Sequence, residues 1–474
     1  MRVQKGGGKL KKNRQKRNHM DSIQVKLISR EIIKPSSPTP DHLKTFPLSL
    51  IDQLYPHVYT RMVLFYSSDK KSTDDTALFI SILKSGISKA LSHFYPLAGT
   101  VRDNLYIECN DQGLSFSEAR VMGCDLSGLL SRPRFELFDH LFPSQEGNFD
   151  PSNSGDFQIY VQVNSFPCGA VAIGISLLHK VIDGTLISQF LKKWASLTRD
   201  VDYHHLTNSA TRVPASSVFP RRETLPSNAG AWAGKRSLDG EKLCVERFVF
   251  DARAIASLRD ESKSDSVPNP SAVEVLSGFI WKYMMKASKA TSGRNKSAVL
   301  AHLVNLRQKV DPPLPEDAVG NVVWKAISSH RSSSPENCQP ELPVLVGSLR
   351  KSFSDMKKDY VGKLTGEGGI SEVIRWLDAV DGEYSDADVE AYAFISFCRM
   401  GFNELDFGRG RPLWVSPGPL HNAPFDRGVF LLDARMGKER ELEAWVCMER
   451  EKMAILKRDA EFLGFASLNP SISI

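Results

Sequence analysis

Apolar residues recur at helical spacing through Leu78, Ile82, Leu83, Ile87, Ala90, Leu91 and Phe94, and the run stops before Pro96. That pattern predicts a helix over 77–94 that closes into the turn Tyr95-Pro-Leu-Ala-Gly99. Upstream, alternating Ile23, Val25 and Leu27 predict a first strand, ended by the turn-rich Pro35-Ser-Ser-Pro-Thr-Pro40. Further strands are expected near 105–109, 114–119 and 158–164. The apolar run 168–178 lacks alternation and reads as a strand buried on both faces. Just after it, Leu186, Ile187, Phe190, Leu191 and Trp194 mark an amphipathic helix beyond Gly184.

Residues 200–242 are rich in Pro, Ser, Asn, Gly and His, which suits a crossover, placed at 206–242. The second half predicts a strand at 245–250, a helix, and a second helix over 271–289 announced by the capping box Ser271-x-x-Glu274. Strands are expected at 299–305, 391–398, 428–433 and 442–448, with one closing helix from Glu449 to Phe462. Residues 331–343 read as a Ser/Pro-rich surface loop. The resulting division is a basic disordered extension at 1–19, a first domain at 20–205 and a second at 243–474. A chain of 474 residues exceeds the ~250–300 over which one core keeps growing, so two domains are expected.

Composition adds little until charge is localised. The net charge of +6 suggests a polyanionic partner, but residues 1–20 hold eight of the 61 Lys and Arg and no acid. The remaining 53 face 55 Asp and Glu, so the body is near neutral and no nucleic-acid partner is expected. The cluster Lys9–Arg17 is a plain tail or a nuclear address, and Met20 is an alternative start. Seven scattered cysteines without a Cys-x-x-Cys pair indicate neither a disulfide framework nor a structural metal site, and suit a reducing, cytoplasmic setting. The longest apolar run is about half of the ~20 residues a spanning helix needs, so no membrane partner is expected.

Three segments carry candidate chemistry. His179 follows the buried strand and opens the turn His179-Lys-Val-Ile-Asp183-Gly184, at the carboxyl end of a strand where α/β proteins place functional groups. Among eleven histidines it alone has an Asp four positions on. A neutral imidazole near pKa ~6.5 can accept a proton, whereas a hydrogen-bonded core histidine is the plain alternative. Asp183 pairs with a cation to fix the loop, meets the substrate or orients the ring; the residues alone do not separate these roles. Asp406-Phe-Gly-Arg-Gly410 places two glycines around one side chain, a fixed loop or a simple turn. Asn305-Leu-Arg307 lies at a strand end, with Gly320-Asn321 beyond a Pro-rich loop.

Together these segments resemble the plant BAHD family of acyl-CoA-dependent acyltransferases, whose hallmarks are His-x-x-x-Asp near mid-chain and Asp-Phe-Gly-Trp-Gly towards the end. Tyr95-Pro-Leu-Ala-Gly99, Leu276-Ser-Gly-Phe-Ile-Trp281 and Glu443-Ala-Trp-Val446 add to the match. Peptide condensation domains carry a second His before the motif, where this chain has Leu178. The resemblance implies an α/β fold of two similar mixed-sheet domains of the chloramphenicol acetyltransferase-like type, joined by a long crossover with a channel between them. CoA enters from one face and the acceptor from the other.

By that resemblance His179 is the general base, with Asp183 and Asp406 completing the catalytic set and Asp406 paired to Arg307. Gly184, Gly408 and Gly410 support the loops, and Ser271 and Ser396 lie close to CoA. Acetyl-CoA is the implied co-substrate, with no permanently bound cofactor, and the acceptor is a small alcohol: an alkaloid, a terpenoid or a volatile alcohol. A monomer is expected. Transfer is direct within a ternary complex, since no cysteine sits in a nucleophile motif. Two residues depart from the family: Arg409 replaces the loop Trp, and Phe397 replaces the Trp of Ser-Trp-x-Arg. They motivate a second reading, a catalytically weak or inactive BAHD-like binding protein.

Overall fold

Two mixed sheets carry the fold. In the computed structural model the described residues are 23–68, 73–143, 157–199, 212–232, 242–331, 340–385, 388–418, 427–434 and 441–472. The expected tail at 1–19, Met20 and much of the 206–242 crossover and the 331–343 loop lie outside them. The first sheet runs Gln24–Ile33, Leu114–Met122, Ile159–Ser165, Val171–Leu178, Tyr59–Tyr66, Trp414–Pro417. The second runs Val323–His330, Ser297–Asn305, Val389–Ser396, Gly428–Asp433, Leu442–Glu449, Leu243–Phe250, Ser467–Leu468. A small sheet of Thr45–Pro47, Tyr106–Glu108 and Thr100–Arg102 flanks the first.

Most predicted elements are present, and the departures have physical causes. Val171–Leu178 is buried along its whole length because strands pair on both sides and cores cover both faces. Gln24–Ile33 is a sheet edge with a register shift between Leu27 and Ser29, which leaves Leu27, Ile28 and Ile32 exposed and spoils the alternation expected there. The expected closing helix 449–462 is two helices, Arg450–Leu456 and Ala460–Phe465. Asp459 breaks it by accepting the Phe462 amide and capping the second. Helices between 342 and 385, and the strands Tyr59–Tyr66 and Val323–His330, had no expected counterpart.

On the outer face of the first sheet, helices Thr73–His93 and Gly184–Thr198 bury Leu83, Ile87, Leu91, Leu186, Phe190 and Trp194. On the outer face of the second, Ala272–Ser292 and Leu342–Asp355 do the same with Leu276, Ile280, Leu345 and Leu349. The inner faces meet in a third core that takes Val63 and Phe65 from the first sheet and Phe430, Leu432 and Trp445 from the second. Trp414–Pro417, a strand from the second half of the chain, pairs antiparallel with Tyr59–Tyr66 and so stitches the halves together. Trp414 lies at the centre of this seam. Its ring stacks on Phe65 and on Trp445, each at 5.7 Å, its Nε1 donates to the buried Glu443, and the Arg247 guanidinium covers it at 5.0 Å.

No helix among the described residues is long and apolar enough to cross a membrane. Trp414→Ala should cost about 3–5 kcal/mol, the usual range for emptying a buried aromatic site, while Trp414→Phe retains most of the stacking. Urea unfolding of the two variants checks this, and equal midpoints for wild type and Trp414→Ala would contradict the seam.

Candidate active site

The buried strand Val171–Leu178 delivers His179 to the junction of the two halves. The Leu178 and His179 amides donate to Gln158 and Val58, and the Val181 amide closes a turn on Leu178. Asp183 then caps helix Gly184–Thr198 by accepting the Leu186 amide. The Lys180 ammonium donates to the Asp52, Gln53 and Tyr55 carbonyls, at the carboxyl end of helix Leu50–Leu54. Burial lowers the Lys180 pKa to about 8, and the nearby Asp52 opposes the shift.

From the second half, the loop after the Pro-rich stretch reaches the same turn. Gly320 bridges Ile182, and Ala215 of the crossover donates to Val319. Gly320 has a φ of 115°, and a Cβ there would lie 2.8 Å from Asp52 Oδ2 and from Ala215 Cβ, so no larger residue fits. The Asn321 backbone and side-chain amides donate to Asp52 Oδ1 at 2.6 and 2.9 Å, and its Nδ2 also reaches the carbonyls of His179 and Lys180. Burial pushes the Asp52 carboxyl up, while the donors on Asn321 and Ser49 pull it down.

The His179 ring is half-buried. Its Nδ1 is buried without a hydrogen bond, as is Oδ1 of Asn321, whose orientation is fixed by the donations of its Nδ2. Tyr55 stacks on one face of the imidazole, with centroids 4.5 Å apart and 10° between the planes. Burial lowers the pKa of His179, against smaller opposing effects of its own backbone, Asp183 and Asn321. The ring is therefore neutral at physiological pH, the state a general base requires.

Asp183 meets neither the ring nor an open cavity. Its carboxylate, 1% exposed, takes both Arg307 guanidinium nitrogens at 2.7 and 3.1 Å and the Val322 amide at 3.0 Å, besides capping the helix. This corrects the expected pairing of Arg307 with Asp406. Asp406 instead binds Arg199 at 3.0 Å and the Gly408 amide at 2.7 Å. The reason is geometric: Arg199 ends the 15-residue helix that Asp183 begins, a helix about 22 Å long at 1.5 Å per residue, so the two carboxylates sit at opposite ends of it. Asp406 belongs to a loop anchor remote from His179. Gly408 and Gly410, both at positive φ, shape that loop. Arg409, in place of the family's Trp, covers the Phe79 ring at 4.4 Å and donates to the Gly169 carbonyl at 2.8 Å, so the loop is held by a cation–π contact and a hydrogen bond.

Gly184 leaves room for Phe397, whose ring would lie 2.9 Å from a Cβ there. Phe397 thus packs against the histidine turn without offering a donor. Ser396 ends its strand and accepts the Cys398 amide, and Ser271 is fully used in its capping box with Glu274. Asp52, Tyr55, Lys180 and Trp232 were not expected at the site; only the Ser49-x-x-Asp52 capping box hints at a fixed helix there. Among the described residues no group of three His, Cys, Asp or Glu side chains is arranged to hold a metal ion.

Similarity to known proteins places this two-domain mixed-sheet fold in the transferase class and gives it a family. The Transferase family model matches residues 23–463, and the chain belongs to this family, the BAHD acyltransferases. It is 34% identical to akuammiline synthase 2 of Alstonia scholaris over 95% of this chain and 98% of that protein. It is 36% identical to epi-neemfruitin B 7-O-acetyltransferase of Melia azedarach over 95% and 100%. The crystal structure of vinorine synthase superposes with a TM-score of 0.77 at 31% identity, covering 95% of this chain and 100% of that one. TRI101 of F. sporotrichioides, complexed with coenzyme A and T-2, shares the fold at a TM-score of 0.69 and 17% identity over 90% and 99%. Acyl-CoA is the co-substrate of the family.

Removing Arg307 leaves Asp183 buried without its cation, so Arg307→Ala should cost about 3–5 kcal/mol. Arg199→Ala, which breaks a pair that is partly exposed on both sides, should cost at most about 1 kcal/mol. Denaturant midpoints of both variants measured together test the reassigned pairing, and the opposite ranking would overturn it.

Proposed function

We propose that the protein transfers an acetyl group from acetyl-CoA to a hydroxyl of a plant specialised metabolite, with His179 as general base. The observation that carries this reading is the half-buried neutral His179 on a turn pinned by both halves of the chain. His179 takes the proton of the acceptor hydroxyl as its oxygen attacks the thioester carbonyl. The tetrahedral intermediate then expels CoA thiolate, which recovers the proton. A thioester is already activated, so alignment and one base suffice, the base contributing about 10²- to 10⁴-fold. Asp183 acts through the loop, and Asp406 and Arg409 hold a remote one.

The relatives support specialised metabolism as the setting: besides epi-neemfruitin B 7-O-acetyltransferase, they include limonoid 7-O-acetyltransferase of Citrus sinensis, 34% identical over 94% of this chain, and salutaridinol 7-O-acetyltransferase of Papaver somniferum, 32% identical over 92%. The acceptor is accordingly an alkaloid or terpenoid alcohol, and the protein acts as a cytoplasmic monomer on free small molecules. A second reading, a binding protein without turnover, rests on Phe397, which offers no hydrogen-bond donor beside the histidine turn.

Thiol release from acetyl-CoA in the presence of hydroxylated alkaloids, terpenoids and benzylic alcohols separates the two. Release with one acceptor class supports transfer, and none with any class supports the binding protein. His179→Ala should lower turnover at least 10²-fold with CoA affinity unchanged; near-normal turnover would sink the assignment. A base whose pKa is held below 6.5 stays competent at neutral pH. The acid limb of kcat/KM should therefore fall below pH 6.5, activity being retained above it and lost as pH drops through it.

A further inference from the structure

His179 lacks the partner that usually orients a catalytic imidazole. The carboxylate four residues on is spent on Arg307, Val322 and Leu186, and the buried Nδ1 makes no hydrogen bond. Rotation about the terminal torsion of a histidine is broad unless packing restricts it. The packing contact that restricts it here is Tyr55, nearly parallel to the ring at 4.5 Å, beside weaker interactions with its own backbone and with Asn321. Tyr55 is itself fixed at both ends. Its carbonyl accepts from Lys180 and its amide donates to Asp52, which ties its backbone to the histidine turn and to the preceding helix. Trp232 of the crossover, 1% exposed, meets the Tyr55 ring at a steep angle, 67° between planes with centroids 5.7 Å apart, and hydrogen-bonds its hydroxyl.

Trp232 is held firmly in turn. Trp324 and Trp376 of the second half pack on it at 4.8 and 5.3 Å. Lys325 covers its face at 5.0 Å and donates to its carbonyl. A continuous aromatic column therefore runs from the second half, through one ring of the crossover, to the face of the base.

We propose that Tyr55 and Trp232 are positioning residues of the transfer reaction: the crossover, through Trp232, backs Tyr55 flat against His179 and so sets the plane in which the base meets the acceptor hydroxyl. This rests on the general-base reading of His179. The Tyr55 phenol takes no proton itself, because burial and the nearby Asp183 and Asp52 push its pKa upward. The two faces of the imidazole become unequal: one is closed by the stack, so the acceptor approaches from the ring edge or the open face.

The charged groups around the ring are Asp183, Lys180, Asp52 and Arg307, with Lys325 beyond Trp232. All of them are engaged with groups other than Tyr55's ring. Replacing that ring leaves those charges in place and changes mainly the access of water to His179. Water stabilises the imidazolium, so the pKa of His179 should move up towards the ordinary value of about 6.5.

The test uses the full-length protein and diethyl pyrocarbonate, which modifies neutral imidazole, with mass spectrometry of the His179 peptide as a function of pH. In wild type the modification is slow and its midpoint lies below pH 6.5. In Tyr55→Leu it should be at least tenfold faster with the midpoint moved up, and Trp232→Ala should change in the same direction. Tyr55→Phe, which keeps the stack, should behave as wild type. With the acceptor found in the thiol-release panel, kcat of Tyr55→Leu should fall by tenfold or more while KM for acetyl-CoA stays constant. Melting curves establish that the variants are folded, and Trp232→Phe replaces Trp232→Ala if the latter is not. An unchanged rate and midpoint in folded Tyr55→Leu would overturn the proposal. Should His179→Ala keep full turnover while Tyr55→Leu still shifts the reactivity of His179, the general-base reading fails and the catalytic role of the stack falls with it, while the hold of Tyr55 on the His179 ring stands.

Discussion

The ion pair between Asp183 and Arg307 is the contact on which the site depends. Both side chains are almost wholly removed from water, so the pair gives up hydration and recovers it only through its hydrogen bonds, which leave Arg307 Nε alone without a partner. The carboxylate accepts from two guanidinium nitrogens and from the Leu186 and Val322 amides, and Arg307 also donates to the Ala318 carbonyl. Each partner comes from a different element: the histidine turn, the helix it opens, the end of Ser297–Asn305 and the loop before Val323–His330. The two halves of the chain are therefore registered at the turn that carries His179. The two residues of the His-x-x-x-Asp spacing have separate surroundings: His179 packs on Tyr55, and Asp183 anchors the two halves through Arg307.

That division explains the electrostatics of His179. A carboxylate touching the imidazole would raise its pKa and favour the charged form. With Asp183 neutralised by Arg307 and Asp52 engaged by Asn321, burial prevails and the ring stays neutral. Under the proposed mechanism this order of effects suits transfer from a thioester, where the acyl group is already reactive and the need is for an aligned, unprotonated nitrogen. Three backbone carbonyls hold Lys180, so its charge is directed to the end of a short helix and away from the reaction.

The second motif shows how a departure from a family pattern is absorbed. A Trp in the Asp406 loop would contribute apolar area and one donor. Arg409 supplies a planar cation over Phe79 and a donor to Gly169, so the loop still docks on helix Thr73–His93 and on the turn before Val171–Leu178. Phe397 is different, since it keeps the packing against Gly184 but not the donor. The first departure concerns anchorage and the second the surroundings of the base.

Periodicity alone determined the helix that ends at His93, the strand buried on both faces, the capped helix after Ser271 and most strands of the second sheet, because each rests on local spacing and capping chemistry. The motif residue His179 was also legible, as a histidine at a strand end before a turn. What the chain order did not contain was partner choice. Arg307 faces Asp183 and not Asp406 because a 15-residue helix stands between the two carboxylates, a distance only packing reveals. Trp414–Pro417 leaves its own half to complete the other sheet, and Tyr55 and Trp232, 177 positions apart in sequence, meet beside His179. Such contacts are decided by which buried surfaces fit one another across the domain seam, a property of the folded pair of sheets that local sequence does not encode.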